Sequence, residues 1–169
     1  MMPPDLIEIE HPDFVTVDAL GPPGQRTFYL QAGQNDLLVT LVIEKEQAAA
    51  VALALGRALE QLGIAEAEGD VAGPELVQPF EPLFRVGQLK LGYDEARDML
   101  LIIAEELAPE EQERRTRVHI WVTRQQAASL IRRAMAVVSA GRPTCPLCHE
   151  LISPHEPHVC VKGNGRKRP

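Results

Sequence analysis

The residues with the clearest chemical potential are three cysteines near the C terminus. Cys145 and Cys148 form a Cys-x₂-Cys pair, a spacing that lets two thiolates converge on one tetrahedral Zn²⁺ ion. Cys160 supplies a third thiolate, and a histidine is needed as the fourth ligand. His158 stands two residues before Cys160, so both side chains of an extended segment point the same way; His155 is the alternative. Four protein ligands close the coordination sphere, and the motif therefore predicts one structural zinc ion per chain.

The cysteines are also compatible with two roles other than structural zinc binding. Cys145 and Cys148 could be a redox pair, although such pairs usually stand at the start of a helix, where the dipole lowers the thiol pKa. This pair follows a predicted helix instead. The cysteines could also be ordinary thiols in a loose tail. If only three residues bind the ion, water could take the fourth position and the zinc site could be catalytic.

Elsewhere the sequence lacks the motifs of common enzyme classes. It contains no glycine-rich phosphate loop and no Gly-x-Ser-x-Gly nucleophile elbow. His119 lies in an apolar segment and is predicted to be a hydrogen-bonded structural residue. The glutamates between residues 105 and 113 lack the spacing of a calcium loop, so we expect a solvated acidic loop there. We assign no catalytic residue, and zinc is the one cofactor predicted.

Charge is divided unevenly along the chain. The net charge is −7, but residues 1–113 carry −16 and residues 114–169 carry +9. Most basic residues of the second region are arginines, which suit bidentate contacts with phosphate, so this region could form a nucleic-acid surface. Alternatively, the two regions lie side by side and neutralise each other. Trp121 is the sole aromatic residue of the basic region, which leaves bases no platform to stack on.

Short runs of strand-forming residues alternate with turn signals and two helical patterns. Strands are predicted at residues 14–17, 28–30, 37–43, 84–91, 99–104 and 119–122. Apolar residues at helical spacing predict a first helix that ends near Gly63. A second helix begins at the capping box Thr123-Arg-Gln-Gln126 and ends near Gly141.

Two segments resemble each other at an offset of 79 residues. Residues 43–49 correspond to residues 122–128, and the helical apolar positions continue in register, as in Val51 with Leu130. The sequence therefore predicts an α+β fold built from a duplicated β-β-β-α unit, each helix packing on its own antiparallel sheet. Two unrelated strand–helix units are the alternative. A groove between the copies would be a natural ligand or partner site.

Composition fits a globular protein, with 45% hydrophobic and 24% charged residues in 169. The first residues contain no basic and apolar signal pattern, and the longest apolar run, residues 48–55, is far shorter than the roughly 20 residues of a membrane span. We therefore expect a cytoplasmic protein without a membrane partner. The predicted organisation is an N-terminal extension (1–13), a first β-β-β-α unit (14–63), a connector (64–82), a second unit (83–142), a zinc-ribbon or knuckle-like element (143–162) and a flexible basic tail (163–169).

Several segments carry a resemblance to a known family: residues 41–49, 84–93 and 124–128, the Cys-x₂-Cys pair, His158-Val-Cys160 and Gly163-Asn-Gly165. The family is bacterial, uncharacterised and classed only as a domain of unknown function. The resemblance covers about residues 14–165 and implies no activity. It implies that the Cys-x₂-Cys and His-x-Cys elements recur, which favours His158 over His155.

These observations predict a non-enzymatic binding or adaptor protein that carries a structural zinc site and binds an unknown protein or small-molecule partner. One alternative is a nucleic-acid-associated protein that uses the arginine-rich half. A second alternative is an enzyme with its site in the groove between the two repeats.

Overall fold

The computed structural model describes residues 5–22, 24–63, 75–77 and 81–140, together with the backbone of two short strands at 158–159 and 167–168. The sheet strands are β1 (Leu6–Ile9), β2 (Phe14–Leu20), β3 (Thr27–Gln34), β4 (Leu37–Ile43), β5 (Pro82–Asp94), β6 (Met99–Glu106) and β7 (Arg117–Val122). The helices are α1 (Lys45–Gln61), between β4 and β5, and α2 (Arg124–Ala140), after β7. Near the C terminus, β8 (His158–Val159) pairs with β9 (Lys167–Arg168) as an antiparallel ribbon.

The strands and helices predicted from the sequence are confirmed, and β1, β8 and β9 are additional strands that the pattern does not predict. Among the described residues, seven strands form one mixed sheet in the order β1-β7-β6-β5-β4-β3-β2. The pairs β1–β7 and β4–β5 are parallel, and the other neighbours are antiparallel. The expected pair of separate antiparallel sheets is therefore wrong. The chain crosses from β4 through α1 to a parallel β5. This parallel pair joins the first group of strands, β2–β4, and the second group, β5–β7, into one sheet.

The helices also depart from the expectation that each would pack on its own sheet. In α2, Gln126 Nε2 donates to the carbonyl oxygen of Pro12 at 2.8 Å, and Arg133 Nη2 donates to Asp18 Oδ2 at 2.7 Å. In α1, Gln47 Nε2 donates to the carbonyl oxygen of Val86 at 3.2 Å. Each helix is thus fixed to the other group of strands, because both groups share one sheet and one core.

Both helices begin in the same way. The Gln47 side chain accepts a hydrogen bond from the Glu44 backbone N–H at 2.7 Å, at the start of α1. At the start of α2, Gln126 Oε1 accepts from the Thr123 N–H at 3.0 Å, and Thr123 Oγ1 accepts from the Gln126 N–H at 3.1 Å. The predicted capping box of α2 is confirmed, and backbone N–H groups that the helix leaves unpaired are satisfied.

The sheet must be strongly curled. β1 and β2 are at its two ends in the strand order, yet residues 10–13 alone join them along the chain. The edges of a flat seven-stranded sheet would be roughly 29 Å apart at about 4.8 Å per strand spacing. The five residue steps from Ile9 to Phe14 span at most about 18 Å. The sheet therefore curls toward a barrel, and one of its faces carries the core with both helices.

Strand register separates the two faces of the sheet. Val17, Leu30 and Leu41 are paired across three strands and are buried in the core. On the opposite face, Thr16, Gln31 and Thr40 are also in register and at most 2% exposed. Part of this burial comes from the connector, which is bound to Gln31. The Gln31 side chain accepts a hydrogen bond from the Val77 N–H at 2.8 Å and donates one to the Val77 carbonyl at 3.0 Å. Residues 75–77 of the connector are thereby held on the outer face of the first group of strands.

Candidate functional site

The predicted zinc ligands lie outside the described residues, apart from the backbone of His158. Nothing is therefore described of the side chains of Cys145, Cys148, Cys160 and His155. His158 is paired with Arg168 in the β8–β9 ribbon. Within the part of the chain that is described, no group of three His, Cys, Asp or Glu side chains is arranged to hold a metal ion.

The other residues singled out in the sequence occupy ordinary structural positions. His119 is half-buried on the outer face of β7, in register with Ile103 and Glu8. Glu105, at the start of the acidic stretch, accepts from Arg117 Nε at 2.9 Å and lies 3.7 Å from Arg115 Nη1. Neither arrangement brings together a nucleophile and a base.

A polar cluster forms where the β5–β6 hairpin meets the start of α2. The Tyr93 hydroxyl donates to Asp98 Oδ1 at 2.8 Å, and Arg124 Nε donates to the same oxygen at 2.8 Å. Asp98 has a φ of 50°, in the left-handed region that Asp tolerates better than most residues. The turn conformation therefore places one carboxylate between an aromatic hydroxyl and a guanidinium.

The three groups shift one another's proton affinities. The hydrogen bond from Tyr93, followed by that from Arg124, lowers the pKa of the Asp98 carboxyl. The bond to Asp98 is also the main cause that raises the pKa of the Tyr93 hydroxyl and of the Arg124 guanidinium. All three shifts stabilise the same state, with a charged carboxylate, a neutral phenol and a charged guanidinium.

A second aromatic contact adjoins this cluster through the neighbouring turn residue. The guanidinium carbon of Arg97 lies 4.3 Å from the centroid of the Trp121 ring. The indole N–H of Trp121 donates to Glu8 Oε1 at 2.9 Å. Trp121 lies between the buried Ile120 and Val122, so strand alternation turns its ring to the outer face of the sheet.

We name the outer face at this hairpin tip the hairpin-tip surface and define it by three residues: Glu8, Arg97 and Trp121. They come from β1, the turn between β5 and β6, and β7. Tyr93 is in register with Leu100 and Val122 of the core, so the cluster of Tyr93, Asp98 and Arg124 lies on the helix-bearing side of the same tip. The sequence marks residues 93–98 as a polar turn but gives them no role, because their partners are distant along the chain. The usable signal is the position of Trp121 between two core residues, which predicts an outward-facing indole.

Ion pairs connect the acidic and basic regions of the chain. Asp98 and Asp18 pair with Arg124 and Arg133, and Glu105 pairs with Arg117. Two further contacts join Arg115 with Glu105 and Arg114 with Asp5. These pairs favour the arrangement in which the two regions are adjacent and neutralise each other.

Comparison with known proteins gives a family without a function. Residues 7–160 match the model of a family described as "Protein of unknown function (DUF3090)". No curated protein and no solved structure matches the chain. Neither of the two described helices has the length and apolarity that a bilayer crossing requires.

Proposed function

The chain belongs to the DUF3090 family of proteins of unknown function, and on that premise we propose that it is a cytoplasmic, non-enzymatic adaptor that binds a protein partner at the hairpin-tip surface. The observation that carries the proposal is the preorganised Trp121. Its indole is held at the edge by Glu8 and on one face by Arg97, on a sheet surface that both helices leave open.

The residue types of this surface are those that dominate protein interfaces. Trp, Tyr and Arg are enriched among interface residues whose truncation costs most binding energy. Here the Trp121 indole is fixed at its edge by the hydrogen bond to Glu8 and on one face by the stack with Arg97. Side chains that are already ordered lose less conformational entropy on binding, which favours affinity.

The cluster is poorly suited to acid–base catalysis. An efficient general acid or base has a pKa near the working pH. Here the pKa of Asp98 is lowered and the pKa of Tyr93 is raised, so both move away from neutrality. This direction supports a binding role over the alternative of an enzyme.

Nucleic-acid binding through the arginine-rich half is the weaker alternative. Arg117, Arg124 and Arg133 each donate to a carboxylate at 2.9 Å or less. Phosphate would have to displace these carboxylates or bind beside them. The charge that attracts a polyanion is correspondingly reduced.

We also propose the structural zinc site of Cys145, Cys148, His158 and Cys160, with His155 as the alternative ligand to His158. The Cys-x₂-Cys spacing supports it, and so does the His-x-Cys spacing of His158 and Cys160 in the sequence. A zinc element of this kind would stabilise a segment that is too short to bury a core of its own.

The duplicated β-β-β-α unit remains part of the proposal. It is supported by the order of elements after β1 and by the equivalent starts of the two helices. Ala48 and Ala127 are both fully buried, and Leu55 and Ala134 likewise, at the same offset of 79 residues. Arg97 and Trp121 belong to the second unit, and the position equivalent to Trp121 is Val42 in the first. The second unit therefore carries the specialised surface.

A comparison of three immobilised proteins tests the binding function: the wild type, Trp121→Ala and the control Leu53→Ala. Leu53 is 57% exposed on α1, whereas Trp121 is on the opposite face of the sheet. We expect one partner to be retained from the soluble extract of the parent cell by the wild type and Leu53→Ala. The amount of partner retained by Trp121→Ala should be at least about tenfold lower than that retained by the wild type, as expected for an interface hot spot.

Retention that is equal for all three proteins would show that the hairpin-tip surface does not bind the partner. Conversion of a metabolite from the same extract by the wild-type protein would contradict the non-enzymatic role. Circular dichroism of each variant verifies that the fold is retained.

A further inference from the structure

We propose that the hairpin-tip surface recognises an arginine side chain in an extended basic segment of the partner protein, an inference that rests on the proposed binding function. The structure contains an internal example of this recognition. Arg97 stacks on the face of Trp121 at 4.3 Å, while Glu8 is hydrogen-bonded at the edge of the same indole. An aromatic face beside a carboxylate is an arrangement that suits a guanidinium, which can stack and form hydrogen bonds at once.

Arg97 is placed as a replaceable occupant. It lies in the exposed turn between β5 and β6, and its backbone N–H donates to Asp94 Oδ1 at 3.2 Å. For its guanidinium, the described part of the chain shows the stack on Trp121 and no carboxylate partner. A partner arginine that both stacks on Trp121 and pairs with Glu8 would make one contact more than Arg97 makes.

The charges around Trp121 favour a positively charged ligand. Three carboxylates lie on or next to this surface: Glu8, Asp94 and Glu95. The opposing cations on the same face are Arg97 and Lys90, which is in register with Ile103. The surface therefore attracts a basic segment and repels phosphate, in keeping with the charge of −16 on residues 1–113.

The contact of Arg97 with Trp121 makes Arg97 a built-in competitor. Its removal should expose the indole face without changing Glu8 or the strand that holds Trp121. We therefore expect Arg97→Ala to bind an arginine peptide more tightly than the wild type does. A merely structural role for the stack predicts the opposite, because loss of the contact would then loosen Trp121 and weaken binding.

The test uses the fact that Trp121 is the one tryptophan of the chain, so its fluorescence reports on this surface directly. The full-length protein is titrated with a synthetic peptide of alternating arginine and glycine, and with a glutamate–glycine peptide as control. Binding is measured in parallel by the anisotropy of the labelled peptide. We expect saturable quenching with the arginine peptide, and affinity about threefold higher for Arg97→Ala, the value of one exposed cation–π contact.

Glu8→Gln provides the matched variant, because an amide oxygen can still accept the indole N–H while the charge is lost. It should bind the arginine peptide more weakly than the wild type, and Leu53→Ala should bind it equally well. The proposal is overturned if the arginine peptide leaves Trp121 fluorescence unchanged in both the wild type and Arg97→Ala, or if the glutamate peptide binds as tightly. In that event, a partner retained in a Trp121-dependent manner would still support binding at the hairpin-tip surface, whereas retention independent of Trp121 would show that the partner binds elsewhere on the protein.

Discussion

Asp98 shows how one residue can organise a polar cluster that the sequence pattern does not reveal. Residues 93–98 are polar and are predicted to form a turn, which the β5–β6 hairpin confirms. The contact with Arg124, 26 residues later, depends on the sheet placing the hairpin next to the start of α2. No local pattern encodes that proximity, because it arises from the pairing of β6 with β7.

The first prediction at the residue scale concerns Asp98→Asn, which tolerates the positive φ but removes the charge. The wild type should be more stable than the variant at neutral pH. The folded-state pKa of Asp98 is lowered. Its contribution to the free energy of unfolding is therefore complete above the ordinary carboxyl pKa of about 3.9 and is lost as pH falls below that value. The pKa of Tyr93 is raised. The contribution of its hydroxyl to the free energy of unfolding is therefore present below the ordinary pKa of about 10 and is lost as pH rises above that value.

Urea unfolding of both proteins from pH 2 to pH 11 measures this difference. The gap in the free energy of unfolding should be widest between the two ordinary pKa values and should narrow on both sides. A gap that stays constant through the acid range would show that the Asp98 charge does not stabilise the fold.

The second residue-scale prediction concerns the cysteines. Protein purified without added metal should contain about one zinc ion per chain, and Cys148→Ser should lose it because a hydroxyl is a much weaker zinc ligand than a thiolate. Inductively coupled plasma mass spectrometry measures the metal, and thiol titration counts free cysteines. Intact protein with three reactive thiols and no zinc would rule out the site. A His158→Ala and His155→Ala pair distinguishes the two candidate histidines.

At the scale of elements, α2 closes the free edge of the sheet. β2 is the last strand in the order, so one of its two edges has no neighbouring strand among the described residues. Arg133 Nε donates to the Val17 carbonyl at 3.2 Å, and Asp18 Oδ1 accepts from the Ala19 N–H at 2.8 Å. The Arg133–Asp18 ion pair connects these two contacts. The edge is thus covered by a helix whose position could not be predicted from its own amphipathic pattern.

Substitution of Arg133 by Met should therefore destabilise the protein by about 2 kcal/mol, as expected for charged hydrogen bonds in a half-buried setting. The matched control is Arg117→Met, which removes an ion pair with Glu105 from a side chain that is 58% exposed. That control should lose about 0.5 kcal/mol or less. Chemical denaturation measures both. Equal losses would mean that the contacts of Arg133 with β2 do not stabilise the edge.

The pairing of Phe14 with Gly33 at the start of β2 gives a second element-scale prediction. A Cβ atom on Gly33 would overlap the Phe14 ring, so Gly33→Ala should displace the ring and cost at least about 1 kcal/mol. Gly56 in α1 has open space around its Cβ position. The same change there should stabilise the helix by about 0.5–1 kcal/mol. Thermal melts of the two variants should therefore shift in opposite directions, and a stabilising Gly33→Ala would contradict the packing.

The predicted strands and helices are confirmed where apolar periodicity and turn residues are strong, as in residues 37–43 and 124–140. β1 escapes prediction because Leu-Ile-Glu-Ile is short and its partner, β7, is 111 residues away in the chain. Strand partners and helix placement depend on contacts between distant segments. The sequence therefore predicts the order of elements, while the joining of two groups into one curled sheet emerges only from the structure.

At the scale of the whole molecule, the shared sheet has a consequence for folding. Val86 of β5 binds Gln47 of α1, and Asp18 of β2 binds Arg133 of α2, so each group of strands is completed by the other group's helix. The parallel pair β4–β5 joins the two groups directly. Neither group has a core of its own, since the buried residues of both form one cluster.

We therefore expect the two groups to unfold as a single cooperative unit, although the sequence favours two separate units. In native-state hydrogen exchange, the slowest amides of β3 and β6 should report the same opening free energy. That value should equal the global free energy of unfolding measured from Trp121 fluorescence in urea. Arg133→Met, which alters a contact between α2 and β2, should lower the protection of both strands by the same amount. A shared core transmits the loss of one contact to every strand that packs in it. If the variant lowered the protection of β3 and left that of β6 unchanged, the two groups of strands would therefore be independent folding units.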